Sequence, residues 1–395
     1  MEAAIERISD GHCMGCGACS SVCPVGALQM HLNDRGFQMP VIDKEACNGC
    51  GLCQKHCPAI CCVRFGKIQP KAFAAWANDD NVRERSASGG AFAVIAQKVL
   101  SLNGIVFGVS FDEDFKARHM AITDVDNLST LLGSKYIQSH ISNAYLEAVN
   151  YLKAGKLVLF SGTPCQIAAF NSFIKDMEER FNAITCDLIC HGVPSESVFH
   201  AYLKAKRREY NSDIIEYAFR SKKAGWNNFG CNAVFKNRKE YFNPHWADPF
   251  MIGYLNNLYL RPACFNCPFC SIPRTGDITL GDYWGVPEGM FSPKGVSVVL
   301  VNTLIGEKLL LSCEGLKIIS ADLERVKRYN FPLNKPAKRN PKETEFFDIF
   351  LNEGFSAAQR KYLRLPVKRH IMYNLYKTSE SILGRRWLQR LYERM

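Results

Sequence analysis

Two stretches near the start of the chain, "CMGCGACSSVCP" and "CNGCGLCQKHCP", repeat one cysteine spacing in full. The first places Cys13, Cys16, Cys19 and Cys23 at C-x2-C-x2-C-x3-C-P, and the second places Cys47, Cys50, Cys53 and Cys57 in the same way. Three thiolates so close together can each hold one corner of an iron–sulfur cubane, while the fourth reaches across to a neighbouring cluster. The spacing therefore predicts two [4Fe–4S] clusters, one on Cys13, Cys16, Cys19 and Cys57 and the other on Cys47, Cys50, Cys53 and Cys23. Gly15, Gly17, Gly49 and Gly51 let the backbone wrap tightly and aim N–H groups at sulfur. Pro24 and Pro58 stop each turn. Structural zinc is the alternative, but zinc usually takes its ligands as two separated pairs, so iron–sulfur chemistry is the stronger reading. Cys61 and Cys62 fall outside the spacing and read as packed thiols.

Three more cysteines, Cys264, Cys267 and Cys270, stand two residues apart in "RPACFNCPFCSIPRTGDITLGDYWG". The elements before them suggest where they go. "SASGGAFAVIAQKVL" enters a helix through glycines, "GIVFGVSF" reads as a buried strand, and "NAYLEAVNYLKAG" is a helix closed by Gly155. "KLVLFSG" and "TPCQIAAFNSFI" form a strand and a helix, as do "AITCDLIC" and "SESVFHAYLKAKRREY". Strand, turn and helix alternating in this way predict an α/β domain, whose ligands bind beyond the carboxyl ends of its strands. Two turns there are chemically unusual: "SGTPCQ" with Cys165 at a helix start, and "CDLICHGVPS" with Cys190 and His191 just past a strand.

Length and composition set the frame. With 395 residues, 47% hydrophobic and 22% charged, the chain reads as a soluble protein with a small module and a larger domain. "MEAAIERISDG" lacks the apolar core of a signal peptide, and no apolar stretch is long enough to span a bilayer. A cytoplasmic location follows as the expectation, and with it metal or redox use of the 18 cysteines rather than disulfides. The expected units are a two-cluster α+β module over 1–64, a linker over 65–85, an α/β domain over 86–335 and a basic helical extension over 336–395. From Arg360 to Met395 ten Lys/Arg stand against two Asp/Glu, so 10 − 2 = +8 of the formal +11. The apolar stripe of Leu375, Ile382, Leu383, Trp387, Leu388 and Leu391 predicts a helix that docks on the protein itself, with contact to an anionic membrane surface as the lesser alternative. Nothing resembles a nucleic-acid-binding fold.

The segments "SASGGAFAVIA", "GSKYIQS", "FSGTPCQIAAF", "DLICHGVPS", "FRSKKAGW", "RPACFNCPFCSIPRTGDITLGDYWG" and "KGVSVVLVNT", taken with the N-terminal motifs, resemble the family of coenzyme F420 hydrogenase and dehydrogenase beta subunits, in the form fused to a ferredoxin module. The resemblance implies a flavoprotein that binds FAD and passes electrons between iron–sulfur clusters and an organic acceptor. It also implies a third [4Fe–4S] cluster on Cys165, Cys190, Cys264 and Cys267. Cys270 exceeds the pattern and is an alternative to Cys165. Zinc on the three-cysteine run, or a catalytic thiol at Cys165, are the competing readings. Cys186, Cys231 and Cys313 read as core thiols.

For the flavin, Ser88, Gly89 and Gly90 open a helix and offer backbone N–H groups to a pyrophosphate. Ser134, Lys135, Tyr136 and Gln138 resemble family flavin contacts, Thr163 and Pro164 would bring the backbone to the ring, and Arg274, Asp277 and Asp282 would complete the pocket. Asp282 has turn capping as its equal alternative. His191 is a candidate proton donor, with a plain hydrogen bond near the cluster as the alternative. Two functions stay open. One is a self-contained ferredoxin-linked flavoenzyme acting on a small organic substrate, with polysaccharide synthesis as one setting and ferredoxin as external donor or acceptor. The other is an electron-transfer subunit serving a separate catalytic chain.

Overall fold

The structure, a computed structural model, describes residues 8, 11–64 and 69–365. The expected C-terminal stripe from Leu375 to Leu391 lies outside the described residues. Thirteen strands are described: β1 (Leu28–Leu32), β2 (Gln38–Ile42), β3 (Lys71–Ala77), β4 (Ile105–Phe111), β5 (Ala117–Ile122), β6 (Val158–Gly162), β7 (Ala183–Leu188), β8 (Ile214–Ser221), β9 (Gly230–Phe235), β10 (Glu240–Pro244), β11 (Ile278–Asp282), β12 (Ser297–Val301) and β13 (Leu316–Ser320). The first two form an antiparallel ribbon beside two one-turn helices, Ala18–Ser21 and Leu52–Lys55. Gly17 and Gly51 occupy their N-caps with φ of 74°, a left-handed conformation that a side chain would strain.

Eight strands make one mixed sheet in the order β13-β3-β12-β11-β7-β6-β4-β5. Its centre is parallel: β4 runs with β6, β6 with β7 and β7 with β11. Antiparallel strands flank this centre, β5 on one side and β12, β3 and β13 on the other. The α/β class expected from the alternation is the class observed. Strands β6 ("VLFSG") and β12 ("SVVLV") are buried at every residue, as strands covered on both faces must be. Alternate residues feed two cores. Val106, Leu159, Ile184, Ile278 and Val299 pack with the Ala91–Ser101 helix, whereas Ile105, Phe107, Val158 and Phe160 pack with the helices Ala144–Lys153 and Pro164–Ile174.

The stretch 65–85, expected as a linker, belongs to this domain in its described part. β3 lies between β12 and β13, with Ala75 opposite both Ser297 and Ile318, and Asp80–Arg85 is a helix capped by the Asp79 carboxylate. A third aromatic-rich core joins the three-stranded sheet β10-β9-β8, the Glu196–Tyr210 helix and the helices Glu343–Glu353 and Phe355–Tyr362. Among the described residues no helix is long and apolar enough to cross a membrane.

Candidate functional site

The N-terminal module presents Cys13, Cys16, Cys19 and Cys57 to one recess of about 370 Å³, part of it open to solvent. Three come from the first cysteine motif and one from the second, the crossed set expected from the spacing. Burial pushes Cys16 well above an ordinary thiol and Cys19 up to about 12, with neighbouring cysteines adding to both. As free thiols these groups stay protonated. A cationic iron core would offset that cost by binding the thiolates, so the donor set fits a cubane. Cys47 and Cys50 both act on Cys53, which shares a small apolar cluster with Cys23. Cys50 is exposed, which puts this second set at the outer end of the module. Cys61 and Cys62, expected to be packed, are exposed, and Arg64 Nε donates to Cys62 Sγ at 3.4 Å.

The module sits directly on the large domain. Tyr145, fully buried, donates its hydroxyl to the Cys16 carbonyl at 3.0 Å. The Ser195 hydroxyl donates to the Arg35 carbonyl at 2.6 Å, and Glu196 N–H donates to the Gly36 carbonyl at 3.0 Å. Burial opposes ionisation of Glu196, but the hydrogen bond from His140 and the nearby His200 ring outweigh it and hold its carboxyl down at about 2. Gly15 (φ +61°) faces the Arg261 guanidinium, and a Cβ there would also meet the Gln38 carbonyl oxygen at 2.9 Å. Gly15→Ala is therefore expected to loosen this seat by about 1–3 kcal/mol. Thermal unfolding of the full chain checks it, and a melting temperature equal to wild type would show that the contact yields.

A second recess, of about 490 Å³, gathers Cys165, Cys190, Cys264, Cys267 and Cys270, with Met14, His191, Arg261 and Arg274 in its wall. The sheet builds it. β6 ends at Gly162, and Thr163 caps the next helix through a capping box with Gln166, which puts Cys165 in the first turn. β7 ends at Leu188 and delivers Cys190 two residues later. Arg261 starts the loop that brings the remaining three. A buried ion pair fixes that loop to β7: Arg274 Nη2 donates to Asp187 Oδ1 at 3.2 Å, and Asp187 Oδ2 accepts from the Thr275 hydroxyl, Thr275 N–H and Gly276 N–H at 2.7, 3.1 and 3.1 Å. Burial raises Cys165 to about 11 and Cys264 to about 12, and it pushes Cys190 well above an ordinary thiol. The Cys267–Cys270 hydrogen bond favours thiolate at Cys267 and the protonated thiol at Cys270. Again the donor set fits an anionic cluster.

The remaining predicted residues divide. Tyr136 packs its ring 5.2 Å from Tyr254, whose ring lies 5.1 Å from His191. Arg220, which neighbours Tyr136, donates to Asp282 Oδ1 at 2.7 Å, and Trp226 Nε1 donates to the same oxygen at 2.6 Å. Trp226 stacks on Trp284 at 5.2 Å. A continuous rim along the carboxyl ends of the strands thus joins His191, Tyr136 and Asp282. Gln138 is 3% exposed, and among the described residues neither of its amide atoms has a partner.

Other expected flavin contacts are committed to the chain itself. Gly89 N–H donates to Ser297 Oγ and the Ser88 hydroxyl to the Val296 carbonyl, so this turn is tied to β12 although Gly90 does cap the helix at φ 90°. Lys135 Nζ donates to the carbonyls of Thr130 and Leu132, and burial lowers its pKa to about 7. Ser134 lies half-buried in the same loop. Asp277, expected in the pocket, is fully buried and accepts from Thr185 N–H, the Thr185 and Thr303 hydroxyls and Arg180. It pins β11 to its neighbours. Arg274 and the Thr163–Pro164 turn belong to the cysteine recess. His191 Nε2 meets Asn257 Oδ1 at 2.7 Å, and burial lowers its pKa, so at neutral pH the imidazole is uncharged and donates to the amide oxygen. Cys186, Cys231 and Cys313 are buried as expected. Sequence reasoning missed Arg220, Tyr254, Trp284 and Asp187, and it assigned no role to Arg261.

Comparison with known proteins adds three findings. Family models match in chain order: a 4Fe-4S dicluster domain over residues 12–61, the N-terminal part of the coenzyme F420 hydrogenase/dehydrogenase beta subunit over 72–145, and its C-terminal part over 155–324. The chain is 24% identical over 321 residues to one of the subunits of the F(420)H(2) dehydrogenase of Methanosarcina mazei, covering 77% of this chain and 82% of that protein. A chain from the xenon-derivatized F420-reducing [NiFe] hydrogenase complex of Methanosarcina barkeri superposes with a TM-score of 0.45 and 13% identity, covering 75% of this chain and 93% of that one.

Proposed function

Because the chain belongs to the family of coenzyme F420 hydrogenase/dehydrogenase beta subunits, we propose that it is the iron–sulfur electron-transfer component of a larger hydrogenase- or dehydrogenase-type assembly. Electrons cross between the exposed Cys47–Cys50–Cys53 end of the module and the carboxyl edge of the large sheet. The observation that carries this reading is the contact between the two recesses. Met14 lines both, and Cys165 is close enough to Cys16 to oppose its ionisation.

Cys165, Cys190, Cys264 and Cys267 are the ligands we assign to the third cluster. Cys270 supports Cys267 through its S–H. FAD is the group we assign to the rim, where it would interconvert single electrons and hydride. Tyr136 and Trp284 would wall its ring, unpartnered Gln138 would supply polar contacts, and the Thr163–Pro164 turn would bring the cluster ligand Cys165 beside it. The half-buried His191–Asn257 pair holds the wall of the recess. A deazaflavin or another small organic molecule would exchange hydride there, with ferredoxin or a partner protein at the module's outer end. The curated relative is a dehydrogenase protein rather than a protein of polysaccharide synthesis.

The test is anaerobic reduction of the full chain, reconstituted with iron, sulfide and FAD, by reduced ferredoxin. Cys50→Ser is expected to slow flavin bleaching about tenfold or more while leaving bleaching by a small hydride donor unchanged. Failure to bind FAD would remove the flavin assignment, and equal ferredoxin rates in both proteins would remove the route. A chain that purifies alone from its own organism and turns over an organic acceptor unaided would favour the self-contained enzyme instead.

A further inference from the structure

Arg261 is 1% exposed, and among the described residues no carboxylate pairs with it. Its backbone belongs to the large domain: its N–H donates to the Val193 carbonyl at 2.8 Å, and its carbonyl accepts from Cys264 N–H at 2.9 Å. Its guanidinium belongs to the module. Nη1 donates to the Cys13 carbonyl at 3.2 Å and meets Met39 Sδ at 3.6 Å, Nη2 donates to the Gln38 carbonyl at 3.0 Å, and Nε has no partner. The ring of Phe37 lies 5.3 Å from the charge. Gly15, in the wall of the first recess, is the residue whose missing Cβ leaves room for it. The same side chain lines the second recess beside Cys165 and Cys264.

A buried cation held only by neutral partners is costly unless something anionic compensates it. Two thiolate-ligated clusters, each carrying net negative charge, would do so from either side. We infer that Arg261 is a positioning residue whose charge is shared by the clusters of the first and third sites, and that it raises the reduction potential of both. The inference rests on the cluster assignments proposed above. Its physical basis is simple. Taking up one electron adds one negative charge to a cluster, so a nearby fixed cation stabilises the reduced form more than the oxidised one. The outer set, Cys23, Cys47, Cys50 and Cys53, does not line the recess that holds Arg261 and is left out of the effect.

The test is a redox titration of the full, cluster-loaded chain with dithionite, followed by electron paramagnetic resonance, for wild type, Arg261→Gln and Arg261→Lys. Iron content and the number of couples in wild type report on the cluster assignments; the differences between variants report on Arg261. In Arg261→Gln two couples are expected to become about tenfold harder to reduce, which is about 59 mV for one electron, and the third couple is expected to stay in place. Arg261→Lys keeps the charge and should hold all couples within about threefold of wild type. Unmoved couples in Arg261→Gln, or all couples moved alike, overturn the inference. If Arg261→Gln does not assemble its clusters, Arg261→Lys decides: couples held within about threefold support it, and a fall of about tenfold or more overturns it. If wild type carries only the two ferredoxin couples, the third-site assignment fails, and the couple of the first site alone carries the comparison.

Discussion

Replacing Cys190 and Cys267 together by serine is expected to lower the iron content of anaerobically purified protein from about twelve atoms per chain to about eight. Both side chains face the second recess, and neither contributes to the first. A cubane deprived of two corners is left with Cys270 as the one spare cysteine lining that recess, and it can restore only one. The loss should therefore be complete at one site and absent at the others, with the signals of the two ferredoxin clusters unchanged. Cys270→Ser is the matching control and is expected to keep about twelve iron atoms. Its hydrogen bond to Cys267 favours the Cys267 thiolate, the role proposed for it. Iron near eight in the wild type, or an unchanged content in the double variant, would abolish the third site. A fall in Cys270→Ser with full iron in Cys165→Ser would exchange the roles of those two cysteines.

Asp187→Ala is expected to destabilise the large domain by about 3–5 kcal/mol, the cost of leaving a buried charge without its partner. Among the described residues Asp187 is the one carboxylate paired with Arg274, and both residues are excluded from solvent. The loss is compounded because the same carboxylate holds Thr275 and Gly276, which return the cysteine loop to β11. A lower melting temperature together with reduced iron content is the expected pair of results. A stable variant retaining all its iron would show that the loop is held by its packing alone. Asp187→Asn keeps the size but not the charge and should fall between the two.

How much of this was legible in the chain depended on the range of each interaction. The eight ferredoxin cysteines are encoded by local spacing, so their crossed grouping at the first recess follows from a dozen residues at a time. The α/β alternation was equally local, because each βα turn carries its own glycine or cap. β3 was not legible. "KAFAAWA" consists largely of small residues with weak strand preference, and it becomes a strand because β12 and β13 pair with it from both sides. Asp277 and Arg274 share a motif that looks like pocket chemistry, yet Asp277 faces into the sheet and Arg274 into the cysteine recess. Their partners, Thr185 and Asp187, lie on a strand far away in sequence. Arg261 posed the same difficulty: the residues that explain it are the glycine at 15 and carbonyls at 13 and 38, and no window of sequence holds both ends.

The place of β3 also dictates an order of maturation. It is made immediately after the ferredoxin module but paired by strands that come much later in the chain, so the large sheet cannot close before β13 has been made. The module, being local, can take up its iron while the rest of the chain is still emerging. A module loaded in that order would hold its iron before the remaining site exists, and a stalled product would carry iron that has nowhere to send a charge.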